Sequence, residues 1–153
     1  MRNMIICVQL LLIWACSTEN KDARLQSYLE NEIGLTSDQL PTAIFVITEE
    51  GCPTCDKLFA DLVRPRTETP SSLFIVRAEG STVDMNGFLE ETDQIRFDYD
   101  RTFKRLGILH ASGVILLNEG RVDTVIDIQA SNIRDQLAYM TALLDSLSAI
   151  PTP

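Results

Sequence analysis

Apolar residues along the chain follow two different spacings, and the order of these spacings predicts the elements of the fold. Over residues 23–33 they recur every three or four positions, which indicates one face of a helix. The continuous run TAIFVIT, residues 42–48, predicts a strand buried on both faces of a sheet. CDKLFADLV returns to helical spacing, and SLFIVRAE, residues 72–79, predicts a second buried strand. Strand, helix and strand in this order predict a βαβ unit.

The middle of the chain carries weaker signals. MNGFLEETD, residues 85–93, predicts a short helix, and IRFDYD, residues 95–100, predicts a short extended segment. RTFKRLGI then predicts a helical turn that ends at Gly107, because glycine commonly terminates a helix. We expect this region to be the least regular part of the fold.

The last third predicts a hairpin and a closing helix. Two apolar runs in residues 113–128 flank the letters NEG, where Gly120 can adopt the left-handed conformation that a tight turn needs. Ser131 is a good N-cap, and the apolar residues after it fall on one helical stripe. The complete order, with 153 residues in all, predicts a single α/β domain over residues 23–150.

An unbroken apolar run at the N-terminus stands apart from these elements. It is too short for a lasting bilayer span and indicates a signal peptide over residues 1–15. IWAC, residues 13–16, resembles the lipobox of bacterial lipoproteins, and this resemblance implies that Cys16 is lipidated and anchors the chain to a membrane. Residues 16–22 would then be the lipidated cysteine and a polar tether. In the sorting rule of these lipoproteins an aspartate after the lipidated cysteine retains the protein at the inner membrane, so by this resemblance Ser17 favours the outer membrane. We expect a lipid-anchored, periplasm-facing protein of the cell envelope.

Charge and cysteine content narrow the possible functions. The net charge is −9 and no basic block occurs, which argues against nucleic-acid binding. Of the four cysteines, Cys7 would leave with the signal peptide and Cys16 would carry lipid. Cys52 and Cys55 then remain as the thiols of an exported chain, in a compartment where disulfides persist. We expect a monomer.

The two remaining thiols lie in EEGCPTCDKLF, between a predicted strand and a predicted helix. Unpaired N–H groups and the helix dipole favour a thiolate at Cys52, while Cys55, one turn on, points inward. Cys52 would therefore attack a disulfide and Cys55 would resolve the mixed disulfide. The acidic neighbours Glu49, Glu50 and Asp56 disfavour the thiolate, which predicts a reducing couple.

Three other interpretations of this pair compete with redox chemistry. A structural zinc site needs about four ligands, whereas the chain after the signal peptide offers two thiols and one histidine. A purely structural disulfide would close a very small loop and gain little entropy. The third is coincidence, which the position directly after a buried strand disfavours.

Two segments of the chain resemble the thioredoxin superfamily, and more narrowly its membrane-tethered members in bacterial envelopes. They are AIFVITEEGCPTCDKLF and RTFKRLGILHASGVILLNEGRV. The resemblance covers about residues 23–148. It implies a thioredoxin-like fold with a central mixed sheet flanked by helices. It also implies a thiol-disulfide oxidoreductase that reduces protein disulfides, works with a redox partner and needs no cofactor. The substrate loop of the family would correspond to Ala111 and Ser112.

Two departures from the family pattern affect this interpretation. Ser112 stands where family members carry a cis-proline. We expect a trans peptide bond before Ser112, because a cis bond before any residue other than proline costs about 3 kcal/mol. Val46 stands where many members have a buried carboxylate, which leaves Glu49, Glu50 or water to move protons.

The alternative function is that of a copper chaperone. Sco-type copper chaperones share the fold and lack the cis-proline, and Cys52, Cys55 and His110 would be the copper ligands by that resemblance. Their CxxxC spacing differs from the CPTC found here, so copper remains the alternative.

Overall fold

A computed structural model describes residues 21–149; the predicted signal peptide, the predicted lipidation site Cys16 and most of the tether lie outside the described residues. Within residues 21–149, no helix combines the length and apolar content needed to cross a membrane. The elements, in chain order, are α1 Lys21–Asn31, β1 Ala43–Ile47, α2 Pro53–Val63, a 3-10 turn Arg64–Arg66, β2 Ser72–Val76, β3 Ile95–Phe97, α3 Thr102–Arg105, β4 Gly113–Asn118, β5 Arg121–Asp127 and α4 Ile133–Ser148.

The five strands form one mixed sheet in the order β3-β2-β1-β4-β5. β1 pairs with β2 and β2 with β3 in parallel, whereas β4 pairs antiparallel with both β1 and β5. This arrangement confirms the predicted α/β class with a mixed sheet flanked by helices. It also brings the carboxyl ends of β1, β2 and β3 to the same edge.

Alternate residues of the central strands point to opposite faces, so the sheet has a core on each side. One core is covered by α2 and α4 and contains Phe45 and Phe74, whose ring centroids lie 5.1 Å apart. The other lies beneath α1 and α3, where Tyr28 meets Phe103 edge to face at 5.3 Å. All residues of β1 and β2 are buried, which confirms that both strands are covered on two faces.

Two sequence predictions are wrong. The helix predicted over residues 85–93 is absent; turns take its place, and Gly87 adopts a φ of +95°, a conformation that no right-handed helix contains. The N-cap of α4 is Asn132 rather than Ser131. The predicted hairpin is confirmed, since Gly120 has a φ of +76° in its turn.

Candidate functional site

The two cysteines lie at the start of α2, at the sheet edge where the parallel strands end. Cys52 is the N-cap residue of this helix and is half-buried. Cys55 is 3% exposed and packs into the core under α2. The two form a disulfide, with their Cα atoms 5.1 Å apart. Cys52 is therefore more accessible to a partner molecule than Cys55.

The helix start supplies a hydrogen-bond donor to the accessible sulfur. The N–H of Cys55 points at Sγ of Cys52, 3.4 Å away. Pro53 occupies the first helical position, where its missing N–H removes no intrahelical bond. Unpaired N–H groups and the positive end of the helix dipole both stabilise negative charge at this place. Among residues 21–149, Sγ of Cys52 has no lysine or arginine as a hydrogen-bond partner.

The predicted substrate loop lies directly against the cysteine loop. Ser112 is fully buried, and its Oγ both accepts a hydrogen bond from the N–H of Thr48 and donates one to the carbonyl of Thr48, each at 3.1 Å. A methyl group added to Gly51 would lie 3.0 Å from Cβ of Ala111. The described chain has no cis peptide bond, so the bond before Ser112 is trans, as expected. The structure thus brings Ala111 and Ser112 to the residues before Cys52.

His110 precedes this loop and is exposed. Its backbone N–H and that of Ala111 both donate to Oδ1 of Asp127, at 3.2 and 3.4 Å. Residues 21–149 contain no group of three or more histidine, cysteine, aspartate or glutamate side chains arranged to hold a metal ion. The described residues thus do not gather His110 with the cysteines into such a group.

Glu49 is a structural carboxylate. Its oxygens accept hydrogen bonds from the backbone N–H groups of Glu79, Thr82 and Val83. Partial burial opposes its ionisation, but these donors outweigh that effect and hold the pKa of Glu49 well below its usual range. The carboxylate of Glu49 therefore holds the loop after β2 beside the cysteines.

Glu50 is engaged by two cations that the sequence analysis missed. It forms ion pairs with Arg77, at 2.6 Å, and with Lys104. Burial opposes its ionisation, but these cations prevail and lower the pKa of Glu50. The side chain of Arg77, which is 4% exposed, also faces Asp98, with Nε 3.8 Å from Oδ2. Because its partners follow Glu50 by 27 and 54 residues, no local pattern could reveal them.

The burial of Asp56 is the second feature that the sequence does not predict. The residue is fully buried, and its Oδ2 accepts the N–H of Gly51 at 3.1 Å. Its Oδ1 is buried without a hydrogen-bond partner in the described part of the chain. One signal was available: Asp56 precedes the buried residues Ala60 and Val63 by four and seven positions, which places all three on one helical face.

Three comparisons with known proteins, against protein-family models, curated proteins and solved structures, gave no match. The described geometry is a half-buried cysteine at a helix start, a buried cysteine one turn on, and a neighbouring loop in which Ala111 approaches Gly51. These features define a dithiol site at the carboxyl edge of an α/β sheet.

Proposed function

We propose that this chain is a thiol-disulfide oxidoreductase of thioredoxin-like fold that reduces protein disulfides in the cell envelope. The observation that carries the proposal is the unequal burial of the two bonded cysteine residues at the start of α2. Cys52 is half-buried and sits at a helix N-terminus, which is where a nucleophilic thiolate is favoured. Cys55 is out of reach of a large substrate and is suited to an internal reaction.

The reduced chain would act in two exchange steps. The thiolate of Cys52 attacks one sulfur of a substrate disulfide, which forms a mixed disulfide and releases the first substrate thiolate. Cys55 then loses its proton and attacks Sγ of Cys52, which restores the Cys52–Cys55 disulfide and releases the second substrate thiolate. Two protein thiols are oxidised and one substrate disulfide is reduced. A dithiol donor must then return two electrons to the chain.

The hydrogen bonding of Cys52 supports a reducing role. The sulfur of Cys52 is helped by one backbone N–H, and no lysine or arginine side chain within residues 21–149 bonds to it. A less stabilised thiolate makes the dithiol less favoured and lowers the reduction potential. We expect a potential closer to that of thioredoxin, about −270 mV, than to that of DsbA, about −120 mV. Equilibration with dithiothreitol buffers measures it, and a value near the second figure would contradict the reducing role.

Membrane attachment is a separate part of the proposal and rests on IWAC, residues 13–16. Lipid on Cys16 would hold the domain at the membrane through the tether. Labelling bacteria that express the chain with an alkyne fatty acid tests this. We expect the label to disappear in Cys16→Ser and to remain in Cys7→Ser, the matched control. Label on Cys16→Ser would contradict the anchor.

Turnover tests the enzymatic part. The chain with Cys7 and Cys16 replaced by serine, called here the two-thiol chain, is supplied with dithiothreitol and a disulfide-bonded protein such as insulin. We expect disulfide reduction above the dithiothreitol background, and we expect Cys52→Ser and Cys55→Ser each to return the rate to that background. Unchanged turnover in Cys52→Ser would contradict the proposal.

A further inference from the structure

A buried carboxylate with a free oxygen lies directly after the buried thiol. Asp56 is 0% exposed, yet Oδ1 has no partner among the described residues, while Oδ2 holds the N–H of Gly51. Most buried polar atoms in proteins are hydrogen-bonded, and burying an unpaired charge is costly. The other oxygen is held by the N–H of Gly51, one residue before Cys52, whose sulfur is bonded to that of Cys55, and this placement gives the unpaired oxygen a chemical use.

Cys55 needs such a group, because the residue is only 3% exposed and its thiol cannot readily pass its proton to bulk water. The other carboxylates near the loop are occupied. Glu49 accepts three backbone N–H groups, and Glu50 is paired with two cations. Asp98 accepts the N–H groups of residues 103 and 104 and faces Arg77. With Val46 in place of the family's carboxylate, the sequence predicts that Glu49, Glu50 or water moves protons, but these bonds leave neither glutamate free for it.

The main chain around Asp56 leaves room for its carboxylate. A methyl group on Gly51 would lie 3.2 and 3.3 Å from the two oxygens of Asp56 and 3.0 Å from Cβ of Ala111. The carboxylate is therefore placed under the residue before Cys52, close to the loop that a substrate would touch. The hydrogen bond from Gly51 fixes one oxygen and leaves the other available.

We propose that the carboxylate of Asp56 accepts the proton of the Cys55 thiol during the resolving step. The proposal rests on the proposed function. The S–H bond of Cys55 breaks and its proton moves to Asp56; the resulting thiolate attacks Sγ of Cys52, the sulfur–sulfur bond to the substrate breaks, and the substrate leaves as a thiolate. Asp56 then returns the proton to that thiolate or to solvent, so that no external acid or base is consumed.

The two steps can be timed separately with dithiobis(nitrobenzoate), whose reduction releases two coloured thiolates. Attack by Cys52 of the two-thiol chain releases the first, and attack by Cys55 on the mixed disulfide releases the second. Asp56→Asn keeps an oxygen for the Gly51 N–H but cannot take up a proton near neutral pH. Asp61→Asn is the matched control, because Asp61 lies on the same helix and pairs with Lys57 at 2.6 Å.

We expect Asp56→Asn to slow the second release on the order of 10²-fold at neutral pH, as loss of a positioned base does, and to leave the first unchanged. The deficit should shrink as the pH rises, because a growing fraction of the thiol then ionises without an internal base. Asp61→Asn should change neither release. Equal slowing of both releases at every pH, or no slowing of the second, would overturn the inference.

A measurement without any change at Asp56 keeps the test independent of the folding of a variant. In the two-thiol chain, an internal acceptor predicts a second release that varies little with pH between about 6 and 8, whereas an unassisted thiol predicts a rise of about tenfold per pH unit. The latter result would overturn the inference. If Cys52→Ser still gives the first release, the proposed function fails as well; if only the second release ignores Asp56, this inference alone fails.

Discussion

Replacing Ser112 by alanine removes a hydroxyl that closes the substrate loop onto β1. Ser112 and Thr48 are both 0% exposed, and the hydroxyl satisfies both the N–H and the carbonyl of Thr48. An unsatisfied buried donor or acceptor costs about 1–3 kcal/mol. Ser112→Ala leaves two such groups, and local relaxation reduces part of their cost. We therefore expect the free energy of unfolding to fall by about 2–4 kcal/mol.

Urea denaturation of the two-thiol chain in its oxidised form measures this loss. We expect a lower midpoint with an unchanged slope, because the surface exposed on unfolding stays the same. Ser146→Ala is the matched control: its exposed hydroxyl donates to the carbonyl of Leu143 at 2.7 Å, and we expect a change within about 0.5 kcal/mol. A loss for Ser112→Ala no larger than that of the control would refute the reasoning.

Two further predictions concern the frame of the site. Because the pKa of Glu49 is lowered on folding, its contribution to stability is complete above its unfolded pKa of about 4.5 and is lost as the pH falls below that value towards its folded pKa. The stability of Glu49→Gln should therefore depend less on pH in this acid range than that of the parent chain. Acid unfolding followed by circular dichroism measures this, and identical acid transitions would count against it. Gly113→Ala should lower stability by about 1–3 kcal/mol in urea, because its methyl group would overlap the carbonyl oxygen of Ile126; an equally stable variant would contradict this packing.

Much of the fold could be predicted because its signals are local. The unbroken apolar run that became β1 Ala43–Ile47 has no polar face, so a strand covered on both sides is the arrangement that buries it. The hairpin was predictable from Gly120, whose left-handed turn lies between two apolar runs. The cysteines at the start of α2 followed from the same kind of pattern, since a strand ends and a helix begins around them.

The remainder depended on contacts between distant parts of the chain. The bond between Ser112 and Thr48 joins residues 64 positions apart, and no spacing rule anticipates it. The segment over residues 85–93 has a helix-like composition, but Gly87 at positive φ and the burial of Phe88 favour turns instead. Aspartate is rarely buried, so composition alone suggests an exposed charge at Asp56, whereas its spacing to Ala60 places it on the inner face of the helix.

The central claim is that Cys52 attacks and Cys55 resolves, and trapping the intermediate tests it most directly. The two-thiol chain carrying Cys55→Ser is mixed with a disulfide-bonded protein and analysed by intact mass. We predict a mixed disulfide with the substrate through Cys52 that dithiothreitol cleaves. We predict no such complex with Cys52→Ser, because Cys55 is buried. Absence of the complex in Cys55→Ser, or an equal yield in Cys52→Ser, would contradict the account.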